Sequence, residues 1–114
     1  MKISRISVYK FERPLEYPYW LSGGRLKFEC LNATLVKVET DEGLVGWGEG
    51  TPWGHTYVPP HGPGICAGIE TIAPFIMGLD PRRVLALERA MDLALPGHLY
   101  AKSPIDMAFW DIAG

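Results

Sequence analysis

Cysteine is scarce: the 114 residues hold two, Cys30 and Cys66. They stand in dissimilar contexts and form no short-spaced pair. That argues against a secreted disulfide scaffold or a thiolate metal site, and predicts reduced thiols in a cytoplasmic protein. An excess of one charge is also missing. Lys and Arg number 11 against 13 Asp and Glu, a net charge of −2 with no basic block. Nucleic acid is therefore not expected as a partner, because phosphate binding needs a clustered positive field. No apolar run approaches the roughly 20 residues that span a bilayer. Met1-Lys2-Ile3-Ser4-Arg5 alternates polar and apolar residues instead of leading into a signal-peptide core, so no membrane partner is expected either. Repeats, low-complexity tracts and charge runs are lacking, which removes collagen, coiled coil and disordered tail. What is present, 47% hydrophobic and 21% charged residues, fits one soluble domain with a single core.

The chain changes its hydrophobic period part-way along. From Ile3 to about Phe11 it alternates, with Ile6 and Val8 on one side and Ile3, Tyr9 and Phe11 on the other, which predicts a strand ended by Pro14. An aromatic and glycine-rich loop is expected from Glu16 to Arg25. Alternation returns from Glu29 to Thr40, with Thr34, Val36, Val38 and Thr40 on one face. Asp41-Glu42-Gly43 then predicts a tight turn into a return strand at Leu44–Trp47. A second loop, again rich in proline, glycine and aromatics, is expected from Glu49 to Gly64.

Beyond it the period is helical. Ile65, Ile69, Ile72, Ala73 and Ile76 form one stripe, closed by Gly78. Asp80 as cap and Pro81 at the first position predict a second helix, with Val84, Leu87 and Met91 buried and Pro96-Gly97 ending it. Ser103, Pro104 and Asp106 predict the start of a third. There Ile105, Phe109 and Ile112 make the stripe, with Ala108 and Trp110 beside them and Trp110 expected in the core. The fold class is α+β: a three-stranded antiparallel sheet followed by three helices packed on it.

Chemistry-bearing candidates are few. His55, His61 and His98 do not stand at the i, i+4 spacing of a helical metal pair, and polar loop or capping roles are the simpler reading. Gly46-Trp-Gly-Glu-Gly50 misses the dinucleotide-loop spacing and reads better as a strand where backbones pack closely. Asp106 and Asp111, five apart on a helix, point to different sides and do not form an acid pair. The aromatic loops are more informative. Tyr17, Tyr19 and Trp20 lie in the first, and Trp53, His55 and Tyr57 in the second. Aromatics on loops held by a rigid sheet can line a small-ligand site, and their faces suit a cation. The plain alternative is that these rings pack on each other or on a neighbouring domain.

Taken in order, Trp20-Leu-Ser-Gly-Gly-Arg25, Gly43-Leu-Val-Gly-Trp-Gly-Glu49, Gly97-His-Leu-Tyr-Ala-Lys-Ser103 and Ile105-Asp-Met-Ala-Phe-Trp-Asp-Ile-Ala-Gly114 carry a resemblance. Over residues 1–114 the chain resembles the amino-terminal capping domain of the enolase superfamily, in its mandelate racemase and muconate-lactonising branch. The closing segment matches that branch's first signature at Ala101, Ser103, Ile105, Asp106, Ala108, Asp111, Ile112 and Gly114. It departs at Pro104 and Phe109.

The resemblance implies a lyase that removes the α-proton of a proline-derived carboxylate. Dehydration of cis-3-hydroxy-L-proline is the first expectation, and epimerisation of hydroxyproline betaine or proline betaine the second. It implies a C-terminal barrel domain of roughly 200–250 residues that holds Mg²⁺, the acid and the base. This chain would then contribute no catalytic residue and no metal ligand, and would be inactive alone. Its implied substrate-binding residues are Trp20, Ser22 and Arg25 in the first loop and Trp53, His55 and Tyr57 in the second. A homo-oligomer is expected of the whole protein. From other function classes, a stand-alone binder of ammonium ligands or an oligomerisation module using the Ala108–Ile112 face remain alternatives.

Overall fold

A computed structural model describes all residues from Met1 to Gly114. Three antiparallel strands come first: β1 (Ile3–Leu21), β2 (Leu26–Thr40) and β3 (Val45–Gly50), in sheet order β1-β2-β3. Three helices follow, α1 (Gly62–Ile76), α2 (Val84–Ala94) and α3 (Leu99–Ala113), in the order the hydrophobic period predicts. No helix is long and apolar enough to cross a membrane.

The core is one cluster of 13 buried residues. Ile3, Val36 and Val38 come from the sheet, and Ile65, Ile69, Ile72 and Ile76 from α1. Val84, Leu87 and Met91 come from α2, and Ile105, Ala108 and Phe109 from α3. Alternation along β2 turns Thr34, Val36, Val38 and Thr40 towards the helices, as its sequence requires.

Glycine lets α3 lie directly on β3. A Cβ on Gly46 would stand 2.1 Å from the Ala108 carbonyl oxygen, and one on Gly48 1.8 Å from that of Pro104. The glycine-rich stretch is thus a close backbone contact inside a strand. It also occupies the Ala108–Ile112 helix face, since the Gly46 position abuts Ile112 as well. That face is covered by the chain's own sheet and is not free for an oligomer. Asp111 adds a bond across the same seam, its Oδ2 accepting the Trp47 backbone N–H at 2.8 Å.

Several expectations are corrected. Strand β1 does not stop at Pro14 but runs on to Leu21, because β1 is an edge strand, where a residue without an N–H can face solvent. A register shift between Pro14 and Tyr19 accommodates the irregularity. Most of the expected first loop is therefore strand. Ile3 does not share a face with Tyr9 and Phe11. Ser4 is an extra residue between the pairs Ile3↔Thr40 and Arg5↔Glu39, and this bulge turns Ile3 into the core with Ile6.

Helix α1 begins at Gly62, three residues before Ile65, with Pro63 in its first turn. Helix α2 begins at Val84. Asp80 caps only the turn before it, its Oδ1 accepting the Arg82 backbone N–H at 3.0 Å, and Arg83 then leaves helical geometry. Helix α3 begins at Leu99, a turn before Ser103. His98, in the left-handed region, accepts its first bonds from Ala101 and Lys102, and Pro104 lies inside the helix. Trp110 is not in the core: it is 60% exposed, beside Arg82, Arg83 and Arg89 in a cleft of about 610 Å³. The buried aromatic of α3 is Phe109.

Candidate functional site

Strand β3 pairs only with Thr34–Glu39 of β2, so the distal part of the β1–β2 hairpin extends past β3. None of residues 13–31 is buried. The molecule is accordingly long for its size, 48 × 28 × 21 Å. The hairpin closes through a single turn at Ser22–Gly24. Ser22, Gly23 and Gly24 all take positive φ, of 55°, 65° and 87°. Ser22 is the costly member, since a Cβ crowds the neighbouring carbonyl there. Arg25 braces the turn, its Nε donating to the Ser22 carbonyl at 3.3 Å.

Register decides which hairpin side chains meet. Tyr19 stands opposite Phe28 and Trp20 opposite Lys27. Side chains alternate along a strand, so these two pairs lie on opposite faces of the arm. On the first face Trp53 packs against both rings, 4.9 Å from Tyr19 and edge-on to Phe28 at 5.4 Å between centroids. Gly54 follows at φ 64°, and a Cβ there would come within 2.9 Å of the Phe28 ring. Trp53 and Gly54 thereby pin the loop after β3 to the arm.

On the other face the Lys27 ammonium sits 5.3 Å from the centre of the Trp20 ring and is paired with Glu29 at 2.7 Å. That hydrogen bond holds the Glu29 carboxyl below its usual range. An internal cation thus occupies one face of Trp20.

The six residues singled out in the sequence fall into three places. Trp53 is half-buried on the arm, with His55 and Tyr57 exposed just beyond it. Ser22 and Arg25 form the exposed tip. Trp20 is turned away from Trp53. Trp20 and Tyr57 keep 57% and 49% of their surface exposed, so these rings have not collapsed into the interior. Trp53 does pack on its neighbours, as the plainer alternative had it. Phe28 and Gly54, which complete the contact, were not legible as site residues, because their role depends on a register that no spacing in the sequence encodes.

No three His, Cys, Asp or Glu side chains converge to hold a metal ion. His61 and His98 stand at the N-cap positions of α1 and α3, yet neither imidazole bonds a free helix N–H. The His98 ring instead meets the Pro96 carbonyl at 2.9 Å. Asp106 and Asp111 remain apart in function as in direction. Asp111 binds the Trp47 N–H, whereas Asp106 has one buried oxygen without a partner, and burial raises its carboxyl pKa. Between α2 and α3 lies a buried cation that no spacing or motif announces. Lys102 is 5% exposed, and its Nζ donates to Asp92 at 2.6 Å.

Comparison with known proteins bears on this arrangement. Residues 5–114 match the family described as "Mandelate racemase / muconate lactonizing enzyme, N-terminal domain". Across its whole length the chain is 44% identical to the cis-3-hydroxy-L-proline dehydratase of Roseibium aggregatum, covering 31% of that enzyme. It superposes with a TM-score of 0.91, at 73% identity, on a crystal structure from Silicibacter pomeroyi ascribed to a mandelate racemase/muconate lactonizing enzyme, all of this chain matching 30% of that one. A magnesium complex of an enolase-superfamily member from Roseovarius nubinhibens gives 0.89 at 57% identity, with 98% of this chain covered and 30% of that one. The chain therefore spans about a third of the length of these relatives. In fold, sequence and extent alike, it belongs to the mandelate racemase/muconate lactonizing enzyme family of the enolase superfamily, as the N-terminal capping domain.

Proposed function

We propose that this chain is the substrate-capping part of a magnesium-dependent dehydratase acting on cis-3-hydroxy-L-proline. The observation that carries the reading is the 44% identity, over every residue of the chain, to an enzyme of that name. The aromatic segment Trp53–Tyr57, held out from the core on the hairpin arm, supports it. In the reaction the α-proton leaves, the bond from the β-carbon to its hydroxyl breaks, and water departs. The resulting enamine tautomerises to a cyclic imine acid.

The carboxylates that hold magnesium, and the groups that move the protons, are assigned to the two-thirds of the relatives' length outside this chain. This chain's own donors do not converge on an ion. Its part is to bind, orient and exclude water. Tyr57 and Trp53 offer ring faces to the pyrrolidine and its ammonium, and aromatic faces attract cations. His55, Ser22 and Arg25 supply hydrogen-bond donors at the exposed ends of the two segments. Trp20, whose face already holds Lys27, shapes the arm from its far side. Small-molecule carboxylate, barrel domain and a second copy of the whole protein are the proposed partners.

In the full-length protein, Tyr57→Ala is expected to raise KM for cis-3-hydroxy-L-proline by roughly tenfold, the scale of one cation–π contact in a closed site, with magnesium affinity unchanged. Kinetics and a magnesium titration check both. A large loss of metal affinity, or inversion of the substrate's α-carbon in place of water loss, contradicts the assignment.

A further inference from the structure

The geometry points to a single lid: Tyr19 and Phe28 of the hairpin arm and Trp53 and Gly54 of the following loop form a clasp that makes the two substrate-facing segments move as one body. That these segments face a substrate, and which one, rests on the reading above; the clasp itself does not.

Each segment alone has little to hold it. The arm between residues 13 and 31 buries no side chain, and residues 55–59 are all exposed. A two-stranded ribbon without a packed face is marginal in water, so the outer arm needs a partner to keep one position. Trp53 is that partner. It touches one ring from each strand, Tyr19 from β1 and Phe28 from β2, and so bridges the ribbon across its width. Aromatic pairs at 4.9 and 5.4 Å are in the range of favourable tilted and edge-on geometry.

Gly54 makes the close approach possible in two ways. Its φ of 64° lets the chain turn away immediately after Trp53, and its missing Cβ leaves room for the Phe28 ring. On the arm's other face, Trp20 and Lys27 make a contact that involves no residue of the loop. Tyr19, Phe28 and Gly54 are therefore positioning residues. They act through Trp53 on where His55 and Tyr57 stand.

The test uses the full-length protein. Trp53→Ala is expected to speed amide exchange in residues 19–28 about tenfold, the equivalent of losing one or two aromatic pairs. Val45–Gly50 and α3 should stay as protected as before. Trp20→Ala, which leaves the clasp intact, should not displace residues 53–57. Unchanged exchange at the tip in a folded Trp53→Ala protein overturns the clasp.

Should Trp53→Ala fail to fold, Phe28→Ala reads the same contact from the other side. With 5-fluorotryptophan incorporated, the Trp53 resonance moves to its solvent-exposed position if the clasp exists, and stays if it does not. Activity separates the two ideas. Trp53→Ala and Phe28→Ala should each raise KM more than they lower kcat, and Trp53→Phe should restore most of the loss. If exchange at the tip quickens while KM for every cyclic amino acid tried is unmoved, the clasp stands and the substrate reading falls.

Discussion

The two halves of the β1–β2 hairpin are built on opposite plans. The inner half is backed by helices and flanked by β3, where a side chain at Gly46 or Gly48 would run into the backbone carbonyls of Ala108 and Pro104. The outer half has no helix behind it, no buried residue, and rings in place of a core. A scaffold tolerates no added atom, whereas an arm outside the core can be held by a few aromatic contacts worth about a kilocalorie each.

The difference should be plainest at Gly48. Gly48→Ala pushes a methyl group onto the Pro104 carbonyl, a backbone atom that cannot rotate away. The expected cost is about 4 kcal/mol or more, enough to abolish cooperative unfolding in a urea titration. An alanine tolerated there would break the contrast.

Adjacent residues of α3 sharpen it next. Phe109→Ala removes a ring with no exposed surface and should cost about 3–5 kcal/mol. Trp110→Ala removes a larger ring that is mostly in solvent, and should cost about 0.5 kcal/mol. Thermal melts of the two variants, side by side, check the pair.

The smallest effect is electrostatic. Hydrogen bonds from the Arg82 guanidinium and backbone N–H hold the Asp80 carboxyl far below the usual carboxylate range. A folded-state value below the unfolded one stabilises at neutral pH. That contribution is fully present above the unfolded carboxylate value of about 3.9, and is lost as pH falls through the folded value. The melting-temperature gap between the parent and Asp80→Asn should therefore be small at pH 7 and close steadily below about pH 4. A gap that ignores pH would mean that the turn, and not the charge, matters.

Much of the scaffold was legible because its signals are local. The alternation of Thr34, Val36 and Val38, and the four isoleucines of α1, need only the period of one element. Readings failed where a neighbour overrides the local rule. Pro14 ends a central strand but not an edge strand, and being an edge is a property of the sheet. Pro104 reads as a helix start until His98, six residues earlier, turns left-handed and nucleates the turn before it. Trp110 reads as core because hydrophobicity does not distinguish it from Phe109. The helix phase that separates them is set by what β3 presents.

At the candidate site, the residue types were visible and their partnership was not. Trp53 and Tyr57 stand out as loop aromatics in any reading. That Trp53 meets Tyr19 and Phe28 while Trp20 meets Lys27 follows from the register shift after Pro14. One residue more or less in that irregularity would exchange the two faces.

Pro14 and Pro18 carry a further consequence. A strand of 19 residues at the rim of a sheet, jutting beyond the folded body, is a ready template for recruiting other chains into fibrous aggregates. Two residues without amide hydrogens interrupt its row of donors in the stretch with the least cover. The same irregularity that complicates the ladder leaves a long aromatic limb a poorer template for edge-to-edge pairing.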